Sequence, residues 1–197
     1  FFDKKNISSI LELRDTFSIS SNIPITQIDS SKITLINKDS ISIPFSLKLD
    51  SYKTKLLINF KKEVKTSYSL QLLPKSITDI FENTNDTLSY KFSTKTLDSY
   101  GNINITISNV NSPVIIELIT EKNELIATKK ITSNKIINFK NLSPKKYIVR
   151  AIFDDNNNGI WDTGNYLQKT HSEKVQYFDL VIESKANWDK NGTFILK

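Results

Sequence analysis

Apolar side chains recur at every second position along most of this chain, and this alternation most limits what it can fold into. A period of two places successive side chains on opposite faces of an extended strand. Stripes with the helical spacing of three and four residues are nearly absent. The alternation therefore predicts half-buried strands and an all-β fold. The clearest runs in the first half are Leu56, Ile58 and Phe60; Tyr68, Leu70 and Leu72; Leu88, Tyr90 and Phe92; and Ile33 with Leu35.

Two stretches of the first half depart from simple alternation. Pro44 interrupts a long run from Ile41 to Leu49. Proline has no backbone N–H to donate to a sheet, so we predict an edge strand or a bulge there. Between Leu73 and Leu88 the alternation stops, and the segment Pro74–Phe81 predicts one helical turn that begins at the proline.

The turns and the length together indicate two domains. The first hundred residues contain no glycine, so Asn, Asp, Ser and Pro must make their turns, whereas all four glycines lie in the second half. Many short strands between such turns predict a β-sandwich. At 197 residues, we predict two tandem β-sandwich domains, residues 1–96 and 97–197. The second half repeats the alternation at Ile103, Ile105 and Ile107; Val114, Ile116 and Leu118; Ile137 and Phe139; and Tyr147, Val149, Ala151 and Phe153.

Composition excludes several kinds of chemistry. The chain has no cysteine and a single histidine, His171, which rules out thiol nucleophiles, disulfides and multi-histidine or Cys/His zinc sites. It contains no nucleophile elbow, phosphate loop or zinc motif, and we expect no enzymatic activity. The net charge of +6 comes almost entirely from scattered lysines. Nucleic-acid binders concentrate Arg and Lys in patches, so we expect no nucleic-acid binding.

The last strands of the first half resemble a known family. The order Tyr68-Ser69-Leu70-Gln71-Leu72-Leu73-Pro74, Ile77-Thr78-Asp79-Ile80-Phe81, Asn85-Asp86-Thr87 and Phe92-Ser93-Thr94 is similar to the bacterial Ig-like domains of Bacteroidota surface proteins. The resemblance covers about residues 5–96 and implies an Ig-like sandwich. Two glycines that are common in this family are Lys75 and Glu82 here.

The second half resembles another β-sandwich module. The run Phe139–Arg150 is similar to the penultimate hairpin of prealbumin-like (transthyretin-like) domains, where a proline turn precedes a tyrosine-led strand. This match covers residues 97–197. C-terminal domains of Bacteroidota Ig-like lipoproteins also carry Asp/Asn-rich stretches similar to residues 154–166, and the segment Ala186–Asp189 before a terminal strand is similar as well.

Residues 154–165 have the ligand spacing of an EF-hand calcium loop. Calcium takes six to eight oxygen ligands, which such a loop supplies from alternate positions around a glycine at position six; here that glycine is Gly159. Asn165 stands at the twelfth position, where an EF-hand has a bidentate glutamate, so an ion would bind weakly or need another carboxylate. The candidate ligands are the side chains of Asp154, Asn156, Asn158 and Asp162 and the carbonyl oxygen of Ile160.

A metal-free interpretation explains the same residues. Asn and Asp side chains cap their own backbone in long loops, and Trp161 then packs against the sandwich. The aromatic residues Trp161, Tyr166, Tyr177, Phe178 and Trp188 likewise have two interpretations. Such rings can stack on sugars, but aromatic residues are also favoured in strands and in sandwich cores.

The expected function follows from the Ig-like and prealbumin-like resemblances. They imply a non-catalytic structural and protein-interaction module of an exported lipoprotein at the outer membrane or cell surface. The expected partner is an outer-membrane β-barrel protein or an envelope assembly or secretion complex. The rival is an adhesin or glycan-binding module that uses Trp161 and Trp188. Two triplets, Asp39-Ser40-Ile41 and Asp86-Thr87-Leu88, resemble the O-glycosylation signal of exported Bacteroidota proteins.

The start of the chain and the length of its apolar runs determine which kind of membrane contact we expect. The chain opens at Phe1 in the middle of a pattern, without an initiator methionine, so we expect the C-terminal portion of a longer or processed polypeptide. No apolar run approaches the ~20 residues that span a bilayer. Contact with the membrane would therefore depend on a lipid anchor outside this sequence.

Overall fold

The computed structural model describes residues 10–197, and these residues form an all-β structure of sixteen strands and two short 3-10 turns. The opening Phe1–Lys5, and residue 5 where the Ig-like resemblance begins, lie outside the described residues. The chain divides into two compact units, the first ending at Thr96 and the second beginning at Leu97. Within residues 10–197, no helix is long and apolar enough to cross a bilayer.

The first unit is a sandwich of short antiparallel sheets. β1, β5 and β4 form one three-stranded sheet in the order β1-β5-β4, β3, β6 and β8 form another in the order β3-β6-β8, and β2 pairs with β7. A 3-10 turn, Ser30–Lys32, precedes β3. The strands are β1 (Phe17–Ser20), β2 (Ile25–Ile28), β3 (Ile33–Asn37), β4 (Phe45–Leu49), β5 (Lys55–Phe60), β6 (Ser67–Leu72), β7 (Ile77–Asp79) and β8 (Leu88–Ser93).

The core of this unit is filled by the alternating residues that predicted its strands. Leu56 and Ile58 of one sheet and Leu70 of the other are buried in the same cluster. An aromatic group completes the core around Phe92, whose ring stacks on Phe17 at 4.7 Å between centroids. Contributions from both sheets make this a two-layer sandwich, as the turn-separated short strands predicted.

The two stretches that interrupt the alternation, at Pro44 and at Pro74–Phe81, give one correct and one wrong prediction. Pro44 directly precedes β4, which lies at the edge of its sheet, so the predicted edge strand is correct but begins only at Phe45. The predicted helical turn at Pro74–Phe81 is wrong, because Ile77–Asp79 forms β7 and pairs with β2. Pairing with β2 explains the extended conformation, and the Ile77 side chain is buried in the core.

Side-chain oxygens organise the glycine-free turns of the first unit. The Asn85 amide oxygen accepts the backbone N–H groups of Ser76 and Ile77 at 3.0 and 2.8 Å. The Asp79 carboxylate accepts those of Phe81 and Asn83 at 2.8 and 2.9 Å. Burial alone would raise the pKa of Asp79, but these hydrogen bonds together with those from the Asn83 amide lower it. Asx side chains thus replace glycine as the turn-forming element.

The two positions where the Ig-like resemblance has glycine show why glycine suits them. Lys75 has a φ of 61° and Glu82 has a φ of 64°, both in the left-handed region. A side chain with a Cβ atom is disfavoured there by about 1–2 kcal/mol, whereas glycine has no such penalty. The departures from the family pattern therefore introduce backbone strain on either side of β7.

Replacing Lys75 with glycine is expected to stabilise the first unit by about 1 kcal/mol, after allowing for the greater freedom of glycine in the unfolded chain. Glu82→Gly should have a similar effect. The measurement is the free energy of unfolding from denaturant titration followed by circular dichroism. Lys75→Ala is the matched control, because alanine keeps the Cβ atom and should bring no gain. Equal stabilisation by alanine and glycine would show that side-chain contacts, and not backbone strain, are responsible.

The second unit is a sandwich of two sheets. One has the order β11-β10-β13-β14, with β15 also paired to β13, and the other has the order β12-β9-β16, in which β16 runs parallel to β9. A 3-10 turn, Leu97–Ser99, precedes them. The strands are β9 (Gly101–Ser108), β10 (Val114–Thr120), β11 (Leu125–Ile131), β12 (Lys135–Leu142), β13 (Lys146–Phe153), β14 (Val175–Tyr177), β15 (Ile182–Glu183) and β16 (Asp189–Ile195).

The segment around Pro144 differs from the hairpin that the prealbumin resemblance implies. β12 pairs with β9 and β13 pairs with β10, so the chain crosses from one sheet to the other at this proline. The Tyr147 hydroxyl donates a hydrogen bond to the Ser143 carbonyl at 2.9 Å. The expectation of a hairpin is therefore wrong, because β12 and β13 pair with strands of different sheets. Leu142 and Tyr147 pack in the core between these two sheets.

Candidate functional site

The Asp/Asn-rich stretch forms a long loop between β13 and β14 at one end of the second unit. Its base is closed by backbone hydrogen bonds from Phe153 N to Lys174 O at 2.9 Å and from Asp154 N to Pro113 O at 3.0 Å. The first of these continues the pairing of β13 with β14. The loop therefore begins and ends on the sheet itself, and we call residues 154–173 the acidic loop.

Asp154 is the buried anchor of the acidic loop, with only 1% of its surface exposed. Its Oδ2 atom accepts the Gly159 N–H at 2.9 Å, which directs the carboxylate into the loop. Its Oδ1 atom is buried and has no hydrogen-bond partner in the described structure. A buried carboxylate oxygen without a partner carries a desolvation cost that hydrogen bonds or a cation normally offset.

The other predicted side-chain ligands converge on one carboxylate. Asn156 Nδ2 and Asn158 Nδ2 donate to Asp162 Oδ2 at 2.6 and 2.7 Å. The Asn156 and Asn158 amide oxygens accept the backbone N–H groups of Asn158 and Ile160 at 3.0 and 2.9 Å. Gly159 has a φ of +80° and makes the sharp turn that the spacing predicted. Three of the five predicted ligand residues are thus in direct contact.

Glu173 is a member of this site that no sequence pattern predicted. Its two carboxylate oxygens accept the N–H groups of Asp155 and Asp162, each at 3.0 Å. Its own N–H donates to the Asp162 carbonyl at 3.1 Å, and its carbonyl accepts the Trp161 indole N–H at 3.2 Å. Glu173 therefore ties both ends of the Asp155–Asp162 segment together. No spacing rule points to this residue, because it follows a second turn of the chain.

Asn165, at the twelfth position of the EF-hand spacing, lines the same cleft as Asn156 and Asp162 but makes no hydrogen bond to either of them in the described structure. Its amide oxygen accepts the N–H groups of Leu167 and Gln168 at 3.0 and 3.1 Å. It pairs across the loop with Thr170. Asn165 therefore caps a second turn, Tyr166–Lys169, which projects from the loop.

The acidic loop supplies few carboxylates to any one point. Across residues 10–197, no three His, Cys, Asp or Glu side chains come together in a metal-binding cluster. A cation here would therefore rely on amide and backbone oxygens in addition to Asp154 and Asp162.

The loop also encloses a polar cleft of about 460 Å³, lined in part by Asp155, His171 and Glu173. His171 itself is exposed.

Phe178, Tyr177, Trp161 and Tyr166 have four different environments. Phe178 packs on Phe194 in the core at 5.5 Å between ring centroids. The Tyr177 hydroxyl lies 3.5 Å from Nη1 of Arg150. Trp161 is held by its indole N–H within the acidic loop, whereas Tyr166 is 95% exposed. The rings do not form one shared platform.

Trp161 and Trp188 lie at opposite ends of the second unit. The Trp188 carbonyl accepts the Asn102 N–H at the start of β9, whereas the acidic loop lies against Pro113, beyond the end of β9. The eight residues of β9 span roughly 25 Å at about 3.3 Å each. One glycan site therefore cannot use both tryptophans together. The two residues of the O-glycosylation triplets, Ser40 and Thr87, are exposed in the first unit.

Comparisons with known proteins do not assign this chain to a family. No protein-family model matches this chain, and no curated protein sequence matches it. Native alpha-2-macroglobulin from Escherichia coli, in a structure spanning domains MG0-NIE-MG1, is similar with a TM-score of 0.40 and 10% identity, over 84% of this chain and 67% of that one. A variant of the major pilin subunit of Bacillus cereus is similar with a TM-score of 0.32 and 9% identity, over 95% of this chain and 66% of that one. The chain thus spans about two thirds of the length of each.

Proposed function

We propose that this chain is a non-catalytic interaction module whose acidic loop presents a docking tip to a protein partner. We define the docking tip as Tyr166 and Leu167, the first two residues of the turn that Asn165 caps. Exposures of 95% for Tyr166 and 91% for Leu167 are the observation that carries the proposal. Two adjacent apolar side chains held almost fully in water are typical of contact sites.

The turn beneath the docking tip is hydrogen-bonded. Asn165 and Thr170 exchange two backbone hydrogen bonds, each of 3.0 Å, and the Asn165 side chain caps the Leu167 and Gln168 N–H groups. A preformed turn loses little conformational entropy on binding. This arrangement supports docking of a fixed tip into a pocket of the partner.

The proposed partner and location rest on the family resemblance of the sequence. The partner would be an outer-membrane β-barrel protein or an envelope assembly or secretion complex. The chain would belong to an exported Bacteroidota lipoprotein at the outer membrane or cell surface. Its contact with the membrane would be made only through a lipid anchor outside this sequence.

The test is capture of membrane proteins from the source organism by the immobilised 197-residue chain. The variant Tyr166→Ser with Leu167→Ser should weaken capture of the specific complex about tenfold or more, since central aromatic contacts often carry over 1.4 kcal/mol. The matched control is Tyr52→Ser with Ile41→Ser, which removes exposed apolar groups from the first unit. Equal capture by the wild type and the tip variant would contradict the proposal, as would equal losses in both variants.

A glycan-binding role is the second candidate, and one observation favours it. Trp188 is 52% exposed and borders a polar cleft of about 510 Å³ that Asp98, Asn102 and Asp189 also line. Against it, Lys185 and Lys190 lie over the Trp188 ring at 5.3 and 5.9 Å from its centroid. Binding on a glycan array that Trp188→Ala abolishes without unfolding would favour this role over docking.

A further inference from the structure

We infer that the acidic loop binds a calcium ion through Asp154 Oδ1, the side-chain oxygens of Asn156, Asn158 and Asp162, and the Ile160 carbonyl. The spacing alone is compatible both with a calcium site and with a loop that is capped without metal, and a structural feature distinguishes the two. That feature is the buried Asp154 Oδ1 atom, which has no hydrogen-bond partner in the described structure. The inference does not depend on the docking role, and its test measures a different property.

The Asp154 carboxylate is arranged as a first calcium ligand would be. One oxygen is used to hold the glycine turn, through the Gly159 N–H. The other is buried, lies in the same loop and has no hydrogen-bond partner in the described structure. Leaving a buried carboxylate oxygen without a partner destabilises the folded state, because the oxygen loses its hydration and gains no hydrogen bond in exchange. A cation inside the loop would remove this cost directly, whereas capping of the backbone leaves it unchanged.

The remaining oxygens have capacity for an ion. Each amide oxygen of Asn156 and Asn158 accepts one backbone N–H, and an amide oxygen has two lone pairs. The Asp162 carboxylate accepts both amide N–H₂ groups through Oδ2, which holds the three side chains next to one another. On binding the ion, Asp162 would exchange these two hydrogen bonds for contact with calcium. Five residues, with water completing the shell, can provide the six to eight oxygens that calcium requires.

The charges near the site attract calcium overall, but we expect the affinity to be low. Asp154 and Asp162 balance the two positive charges of calcium, and Glu173 adds a third carboxylate that holds the ends of the segment. Asp155 is exposed on the same loop. Opposing them, the Lys130 side chain from β11 passes over Gly159, so its ammonium lies where a Cβ of residue 159 would be. Without a bidentate ligand at position twelve, we expect a Kd of about 10⁻⁴–10⁻³ M, the range of extracellular calcium modules.

The experiment is calcium titration of the 197-residue chain by isothermal calorimetry, with thermal melts in 10 mM CaCl₂ and in EGTA. We expect one ion per chain and a rise of about 5–10 °C in the Tm of the second unit. MgCl₂ at the same concentration should give a smaller rise, because magnesium demands octahedral geometry and loses water reluctantly. Trp161 and Trp188 are the two tryptophans of the chain, so tryptophan fluorescence follows this unit.

Asp154→Asn and Asp155→Asn form the matched pair. Both remove one negative charge from the same loop, but only the first removes the carboxylate with the unpartnered oxygen. Asp154→Asn should weaken calcium binding at least tenfold, and Asp155→Asn should change it less than threefold. Asp162→Asn provides a second ligand variant if Asp154→Asn lowers the Tm in EGTA. No binding by the folded wild type at 10 mM calcium would overturn the inference, and so would equal weakening by both members of the pair.

Discussion

Replacing Phe92 with alanine is expected to destabilise the first unit by about 3–5 kcal/mol, the usual cost of deleting a buried aromatic ring. The ring is 3% exposed. It stacks on Phe17 and on Tyr68 at 4.7 and 5.6 Å, and it lies 6.1 Å from Phe60. These partners come from three other strands, β1, β6 and β5, so one deletion leaves a cavity where both sheets meet.

The readout is backbone hydrogen exchange of β6 and β8, measured by mass spectrometry with increasing urea. Loss of protection should move to a lower urea concentration for Phe92→Ala and by a smaller amount for Phe92→Leu, which fills part of the cavity. Phe81→Ala makes the same chemical change at a residue that is 71% exposed, and it should alter stability by less than about 0.5 kcal/mol. Similar effects at positions 81 and 92 would contradict the packing of this core.

Gly101→Ala is expected to destabilise the second unit by about 3 kcal/mol. An ideal Cβ atom at this position would lie 2.3 Å from the Lys185 carbonyl oxygen and 2.6 Å from the Ser184 Oγ. The first is a backbone atom, so the segment after β15 must move away from β9 to admit a methyl group. Strain of this kind typically costs 1–3 kcal/mol and occasionally more.

Chemical denaturation followed by tryptophan fluorescence measures this effect, because both tryptophans belong to the second unit. Gly192→Ala is the control. Its Cβ atom would meet only side-chain atoms, Cδ1 of Ile105 at 3.1 Å and Cζ of Phe178 at 3.4 Å, which can shift by a few tenths of an ångström. We expect a loss of about 1 kcal/mol or less for this variant. A loss at Gly101 no larger than that at Gly192 would contradict the close approach of residues 184–185 to β9.

Strands with regular alternation were predictable, and strands without it were not. β5, β6, β8, β9 and β13 follow from their apolar pattern, because one face of each is buried. β11 gives a weak signal, since its residues Leu125–Ile131 are mostly exposed at a sheet edge. β7 shows no strand pattern, because its three residues are too few to show a period. Its extended form depends on pairing with β2, which is distant in sequence.

In the acidic loop, too, some features were predictable from the sequence and others were not. The spacing of Asp154, Asn156 and Asn158 predicted a turn around Gly159, and the turn forms because each side chain bonds to a backbone N–H close to it in sequence. The role of Glu173 was not predictable, since it depends on the closure of the loop by β13 and β14. The separation of Trp161 from Trp188 was equally hidden, because residues near in sequence are carried to opposite ends of β9.

The sequence by itself determined the all-β class, the restriction of Pro44 to an edge strand or a bulge, and the turn around Gly159, because these depend on side-chain alternation, on the missing proline N–H and on short-range hydrogen bonds. Only the tertiary structure decided that β16 runs parallel beside β9, that the chain changes sheets at Pro144 and that one oxygen of Asp154 is buried without a partner. The physical reason is that burial and strand pairing join residues far apart in the chain, and no local pattern records which of them will meet.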